Sequence, residues 1–261
     1  MNLTENWKQY LKELTDPEKL DVSSFEIQDS LQPDVWESEE KLNEEIGARL
    51  YEIAKEFFKS LDIDWVKIID ITITGSLANY TWSKYSDIDL HIIIDYEQVD
   101  ENQELVQNYL RKASSSWNKN HDIFIKGFEI EVYVQDSNEP HYSTGVYSVK
   151  YDQWDTKPSK VEPKIDYENV QKKTATLMDK IDEVYDIYKE GDYDASLENA
   201  ESVRRKIRKF RQSGLEKGGV FSVENLAFKL LRRTDYLERL SSLRIQSYDK
   251  SMSINGENSG R

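Results

Sequence analysis

Asp87 and Asp89 are separated by one residue at the mouth of an apolar run, in the stretch "GSLANYTWSKYSDIDLHIII" that spans Gly75 to Ile94. On a strand, residues two apart project from the same face, so the two carboxylates would stand side by side. Anions held that close repel, and a fold keeps them where a cation offsets the charge. Hard carboxylate oxygens on a rigid element suit Mg²⁺, which takes few protein ligands and fills its octahedron with waters and phosphate oxygens. A third carboxylate on a neighbouring strand would extend the pair to a two-ion site. The run "FEIEVYV" offers Glu129 and Glu131, both flanked by apolar residues and both on one face. Glu131, deeper in the run, is the favoured ligand and Glu129 the substitute. In front of the aspartates, Gly75 lets the backbone approach a ligand closely, and Ser76 opens "SLANY", which can form a helical turn. A serine hydroxyl and free N–H groups at a helix start would face an anion, so this corner reads as a grip for a triphosphate.

These residues need a sheet and something to cover it. From Glu39 to Leu61, Leu42, Ile46, Leu50, Ile53, Phe57 and Phe58 recur at helical spacing and predict one amphipathic helix. "WVKIIDITITG", "IDLHIIID" and "HDIFIKGFEIEVYVQD" are β-branched runs that predict three strands, the last with a hairpin turn at Lys126–Gly127. A helix is predicted between the second and third, with Leu105, Val106, Tyr109 and Leu110 on its inner face. The order helix, strand, strand, helix, strand describes an α+β core: a mixed β-sheet with helices on one face. Residues 137–166 read as a loop with a short strand at "GVYSVKY".

Flanking segments complete the expected division. Residues 1–40 form a leader that opens with a helical pattern of Trp7, Tyr10, Leu11 and Leu14 and packs through Phe25, Leu31 and Trp36 onto a core domain over 41–150. Residues 151–248 form a helical C-terminal domain of three segments, the third running from Ser222 as a helix start through "SVENLAFKLLRRTDYLERLSSLRIQSYD", and 249–261 form a tail. The second segment holds Arg204, Arg205, Lys206, Arg208, Lys209 and Arg211 with no acid among them. Val203, Ile207 and Phe210 mark its buried face, which leaves Arg204, Arg208 and Arg211 on one ridge. Such a ridge is either a solvated face paired with acids elsewhere or a clamp for a triphosphate or an acceptor nucleic acid.

Composition sets outer bounds. The 261 residues carry a net charge of −15 and 38% hydrophobic residues, enough for a sizeable core. That acidity excludes a broad basic face that coats nucleic acid, so any basic patch is local. With no cysteine, disulfides and thiolate metal sites are excluded. No run approaches the ~18 apolar residues of a membrane span, and the N-terminus lacks a signal-sequence pattern, so the expectation is a soluble, cytoplasmic protein without a membrane partner.

Asp-x-Asp alone also occurs in phosphotransferases of the haloacid dehalogenase type, where the pair follows an apolar strand directly. Here "SKYS" precedes it and the apolar run comes after. The stretch "TGSLANYTWSKYSDIDL", followed by "IEVYV", resembles the signature of the nucleotidyltransferase superfamily typified by DNA polymerase beta. The resemblance implies that Gly75 and Ser76 are the phosphate-binding pair, that Asp87 and Asp89 are metal aspartates, and that Glu131 is the third acid, where the family more often has Asp. It implies two Mg²⁺ ions, with Mn²⁺ as a substitute, an NTP substrate, and a hydroxyl acceptor on RNA, a small molecule or a protein. The helical C-terminal segment corresponds to what many members add to bind base, sugar or acceptor, which places Arg204 and Arg208 among the nucleotide-binding candidates. More loosely, the whole chain is similar to nucleotidyltransferase-like proteins encoded by tailed bacteriophages, which would put it in the host cytoplasm. The other class of reading is a non-catalytic nucleotide- or partner-binding protein on the same fold. His91, Trp82 and Tyr85 are secondary candidates: His91 alternates onto the aspartate face, and the aromatics either stack on a base or anchor the loop.

Overall fold

The computed structural model describes residues 16–139 and 143–254, in two compact units. One unit runs from Ser24 to Glu162, and the other joins Met1–Ser23 to Pro163–Arg261. The expected leader is therefore divided between them, and the sheet body extends past the boundary expected at residue 150. The Trp7, Tyr10, Leu11 and Leu14 pattern lies outside the described residues.

The sheet body contains a short ribbon of β1 (Trp36–Ser38) and β2 (Lys41–Leu42), then α1 (Glu44–Lys59), β3 (Asp70–Thr74), β4 (Ile88–Ile94), α2 (Gln103–Asn120), β5 (Phe124–Ile125), β6 (Phe128–Asp136), β7 (Val146–Ser148) and β8 (Gln153–Thr156). The ribbon takes the residues where the first helix was expected to begin. Asn43 then caps α1, its side-chain oxygen accepting from the N–H groups of Glu45 and Ile46 at 3.1 and 3.2 Å. Six strands form one mixed sheet in the order β5-β6-β4-β3-β7-β8. β4 and β6 run parallel and every other neighbouring pair runs antiparallel. The β5–β6 hairpin turns at Lys126 (φ 52°) and Gly127 (φ 85°), the two left-handed residues that a tight hairpin of this twist requires.

Alternation gives the sheet two unlike faces. Ile88, Leu90, Ile92 and Ile94 of β4, with Ile71 and Ile73 of β3, are fully buried and pack with α1 and α2 into one core. Each such side chain contributes about 1.5–3 kcal/mol. α1 buries Ile46, Leu50, Ile53 and Phe57 as the spacing predicts, while α2 buries Val106, Leu110 and Ser114. Leu105 and Tyr109, expected on that inner face, are exposed. Each lies one residue off the fourfold repeat 106, 110, 114 and so is turned ~100° out of the stripe.

Within residues 137–166, β7 lies in the short strand expected at "GVYSVKY", while β8 forms where a loop was expected. An aromatic group holds them there: the Trp36 and Trp154 rings stack at 4.7 Å, with Tyr147 edge-on to both. Trp36 and Leu31 lie in the sheet core, so residues 24–40 belong to this body.

The helical body holds α3 (Tyr167–Glu190), α4 (Tyr193–Gly218), α5 (Val223–Arg233) and α6 (Tyr236–Met252). Gln171 donates to the carbonyl of Leu20 at 2.8 Å, fastening the N-terminal segment to α3. Ser222 caps α5 as expected. The single helix predicted from there is two, because Asp235 adopts a left-handed conformation (φ 61°) and the Thr234 hydroxyl turns back onto the Leu230 carbonyl. α6 continues through Met252, into the segment expected to be tail, and residues 255–261 lie outside the described residues. No helix among the described residues is long and apolar enough to cross a membrane.

Candidate functional site

The polar face of the sheet lines up residues from three strands. Thr74 pairs with Asp89 across β3–β4, and Asp89 pairs with Glu131 across β4–β6. The next row is Thr72, His91 and Tyr133. Asp87 lies just before β4. Asp87, Asp89 and Glu131 are each half-buried, and each offers a carboxylate oxygen within 4.8 Å of the other two. Coulomb repulsion between ionised carboxylates at that separation is on the order of a few kcal/mol per pair before solvent screening. A set of hard oxygens converging at this density fits a divalent cation.

Neighbouring groups respond to the same charge. The Tyr133 hydroxyl donates to Oε2 of Glu131, and its phenol is pushed well up by burial, then by that hydrogen bond and by the charges of Glu131, Asp89 and Asp87. Glu129, the substitute third acid, sits at the start of β6, register partner of Phe124. Burial first, then the charges of Glu131, Asp122 and Asp87, raise its carboxyl above the usual range. Glu131, in register with Asp89, is the one that joins the cluster. The His91 ring lies 5.3 Å from that of Tyr133, tilted against it.

Gly75 ends β3 with φ 76° and sits against the Asp89 carboxylate with no room between them for a side chain. The Ser76 and Ser86 hydroxyls are 2.8 Å apart, and Ser86 Oγ also accepts from the Ser83 N–H at 3.0 Å, closing the loop on itself. The expected helical turn after Ser76 is one hydrogen-bonded turn, Asn79 N–H to the Ser76 carbonyl at 3.1 Å, and no helix follows. A helix dipole is therefore absent from this corner, which consists of the Gly75 turn and the paired Ser76 and Ser86 hydroxyls.

Residues 24–40 brace this loop. The Trp36 indole N–H donates to the Leu77 carbonyl, the Gln28 N–H to the Tyr80 carbonyl, and the Trp82 indole N–H to the Ser30 carbonyl, each at 2.8 Å. The Tyr80 hydroxyl donates to Glu39, and burial followed by this contact pushes its phenol up to about 12. Asn79 donates to the Thr144 hydroxyl from the other side. Trp82 is thus a loop anchor, while Tyr85 is exposed with the Lys84 ammonium 4.9 Å from its ring.

In the helical body, α4 sorts the basic residues. Ile207 is buried and Val203 and Phe210 are half-buried, as the spacing predicts. Arg211 turns inward, its guanidinium 4.2 Å from the Phe228 ring and donating to Asn225 at 3.2 Å. Arg205 lies 3.9 Å from Glu201. Arg204 and Arg208 are exposed on the ridge.

Sequence reasoning missed Tyr133 and the bracing contacts of Gln28, Ser30 and Trp36. Tyr133 was within reach, because it follows Glu131 by two on the same strand and must share its face. Gln28 and Ser30 contribute a backbone N–H and a backbone carbonyl, which carry no side-chain signature.

Residues 51–144, which include Gly75, Ser76, Asp87, Asp89 and Glu131, match the family model described as a nucleotidyltransferase domain. The match and the mixed sheet with its acidic cluster agree, and they support nucleotidyl transfer as the general activity. No curated protein and no solved structure matches the chain, so the looser likeness to phage-encoded proteins finds no support among them.

Proposed function

We propose that this protein is a metal-dependent nucleotidyltransferase that moves a nucleoside monophosphate from an NTP to a hydroxyl acceptor. The observation that carries the reading is the convergence of Asp87, Asp89 and Glu131 within 4.8 Å beside the Gly75 turn, inside the matched segment. Asp87 and Asp89 would hold one Mg²⁺ ion and share a second with Glu131, with Mn²⁺ as a substitute. Two such ions supply charge neutralisation on the triphosphate and a lowered pKa for the attacking hydroxyl.

The chain's own groups do the rest. The Gly75 backbone admits the triphosphate close to the sheet, and the Ser76 hydroxyl, held by Ser86, donates to a phosphate oxygen. Glu131 takes the proton of the acceptor hydroxyl as it attacks the α-phosphorus, and pyrophosphate leaves. Tyr133 donates to Oε2 of Glu131 and so fixes the orientation of its carboxylate. Residues 24–162 carry the chemistry in this reading.

Incubating the protein with Mg²⁺ and each α-labelled NTP, with and without total RNA or cell lysate, tests the proposal. Label should move to an acceptor with the wild-type chain and not with Asp87→Ala/Asp89→Ala. Nucleotide binding without pyrophosphate release in every mixture would instead favour a non-catalytic binding protein on this fold.

A further inference from the structure

The helical body carries a second concentration of charge, and it is positive. Of the six cations between Arg204 and Arg211, the structure commits Arg211 to Phe228 and Asn225, and Arg205 lies beside Glu201. Lys206 and Lys209 are exposed, and Arg204 and Arg208 stand one turn apart on the exposed ridge of α4, with no carboxylate within ion-pairing distance among the described residues. α6 packs along α4, the two joined by a buried hydrogen bond from Ser247 to Ser196 at 2.9 Å, and brings Arg244 to the same place. Arg204 responds to both neighbours: burial first, then the charges of Arg208 and Arg244, hold its guanidinium below the ordinary value against the smaller opposing charge of Glu201. One turn beyond Arg244 on the same ridge of α6, the Tyr248 ring is 52% exposed.

Like charges collected together destabilise a fold, and here Glu201 is the acid that acts on Arg204 while Arg208 and Arg244 both oppose its charge, in a chain of net charge −15. The distant acids act weakly at such a site, since the Debye length is about 10 Å at 0.1 M salt. Guanidinium groups recognise phosphate oxygens through paired N–H donors, and an exposed aromatic ring one helical turn from one of them adds a platform on which a base stacks. Charge that tracks a backbone together with a stacking ring is the chemistry by which single-stranded nucleic acid is bound without sequence preference.

We infer that Arg204, Arg208, Arg244 and Tyr248 form a binding site for a single-stranded nucleic acid, the three arginines on its phosphates and the tyrosine on a base. Under the function proposed above, that strand is the acceptor; the binding itself does not depend on that function. A free NTP offers the same phosphates, so the test separates the two sources.

The experiment is fluorescence anisotropy of labelled RNA and DNA oligonucleotides of about 16 nucleotides with the full chain. It is run in EDTA so that metal at the acidic cluster plays no part, across a salt series and with ATP as competitor. The wild-type chain should bind the oligonucleotides. Arg204→Ala and Arg208→Ala should each weaken binding about fivefold near 0.1 M salt and reduce the salt slope by about 0.7. Arg204→Lys should keep the slope, and Tyr248→Ala should weaken binding at least about fivefold with the slope unchanged. Arg205→Ala, beside Glu201, should leave both alone. All of these positions except Arg244 are on exposed ridges, so circular dichroism should show folded variants. No binding of either oligonucleotide, slopes unaffected by Arg204 and Arg208, or displacement by ATP at equal concentration would each overturn the proposal. Loss of oligonucleotide binding with label transfer intact, or the reverse, separates this inference from the catalytic reading.

Discussion

A Cβ atom on Gly75 would lie 1.8 Å from Oδ2 of Asp89, so the end of one strand and a carboxylate on the next are in contact through the bare backbone. The same residue has φ 76°, a conformation that side chains disfavour. Gly75→Ala should therefore displace the Asp89 carboxylate. A shift of about 1 Å at a reacting centre lowers activity on the order of 10²-fold, and label transfer should fall by that much while the variant remains folded.

Asp87, Asp89 and Glu131 repel one another in the metal-free chain. Mg²⁺ should raise the melting temperature, because an ion that binds the folded form alone stabilises it. Asp87→Asn should melt higher than wild type in EDTA, lose most of the Mg²⁺-dependent rise, and lower transfer on the order of 10³-fold. Differential scanning fluorimetry with and without EDTA checks the first two outcomes. Equal Mg²⁺ shifts in both chains would remove Asp87 from the ion site.

Tyr133 holds one oxygen of Glu131. Tyr133→Phe keeps the ring against His91 and removes only that donor, so it should weaken metal affinity or transfer by about 10–100-fold. The apparent Mg²⁺ requirement should rise while the melting temperature moves little. A change in melting temperature alone would make Tyr133 a packing residue.

Trp82 ties the loop to Ser30 through one hydrogen bond. Trp82→Phe should destabilise the chain by about 1 kcal/mol, the ordinary net contribution of such a bond. Its larger effect should be on KM for the NTP, since the loop it anchors carries Ser76. Steady-state kinetics with the NTP varied would show this split.

Asp70 is buried at the start of β3, accepting from the Ser148 hydroxyl and the Ile71 N–H. Burial raises its carboxyl above the usual value, outweighing those two hydrogen bonds. The folded chain then holds the proton at pH values where the unfolded chain, with a carboxyl near 3.9, has lost it. Stability from this group is full below the unfolded value and falls as pH rises to the raised folded value, then stays level. Asp70→Asn keeps both acceptor contacts and should remove that fall, so its melting temperature should exceed that of wild type at pH 7 and match it more closely near pH 3.

Much of the sheet body was legible because its periods are strong. Ile88, Leu90, Ile92 and Ile94 alternate strictly, so Asp89 had to face away from the core, and Glu131 followed from the same rule on β6. Gly75 and Ser76 were visible as residue types. Positions held by aromatic packing were not: "DQWDT" reads as loop by composition, yet Trp154 stacks on Trp36 and the segment becomes an edge strand. Leu105 and Tyr109 show the limit of counting apolar residues on a helix, since a one-residue offset decides which way a side chain turns. The break at Asp235 depends on a single backbone torsion, for which a run of good helix formers gives no warning.

The bracing of the loop by residues 24–40 bears on how the chain can be cut. The segment that matches the family model begins at residue 51 and ends at 144, which leaves out Gln28, Ser30 and Trp36 on one side and β7 and β8 on the other. A fragment trimmed to that match would keep Asp87, Asp89 and Glu131 and lose the three hydrogen bonds that brace the loop after Gly75. Residues 24–162, one compact unit, keep all three.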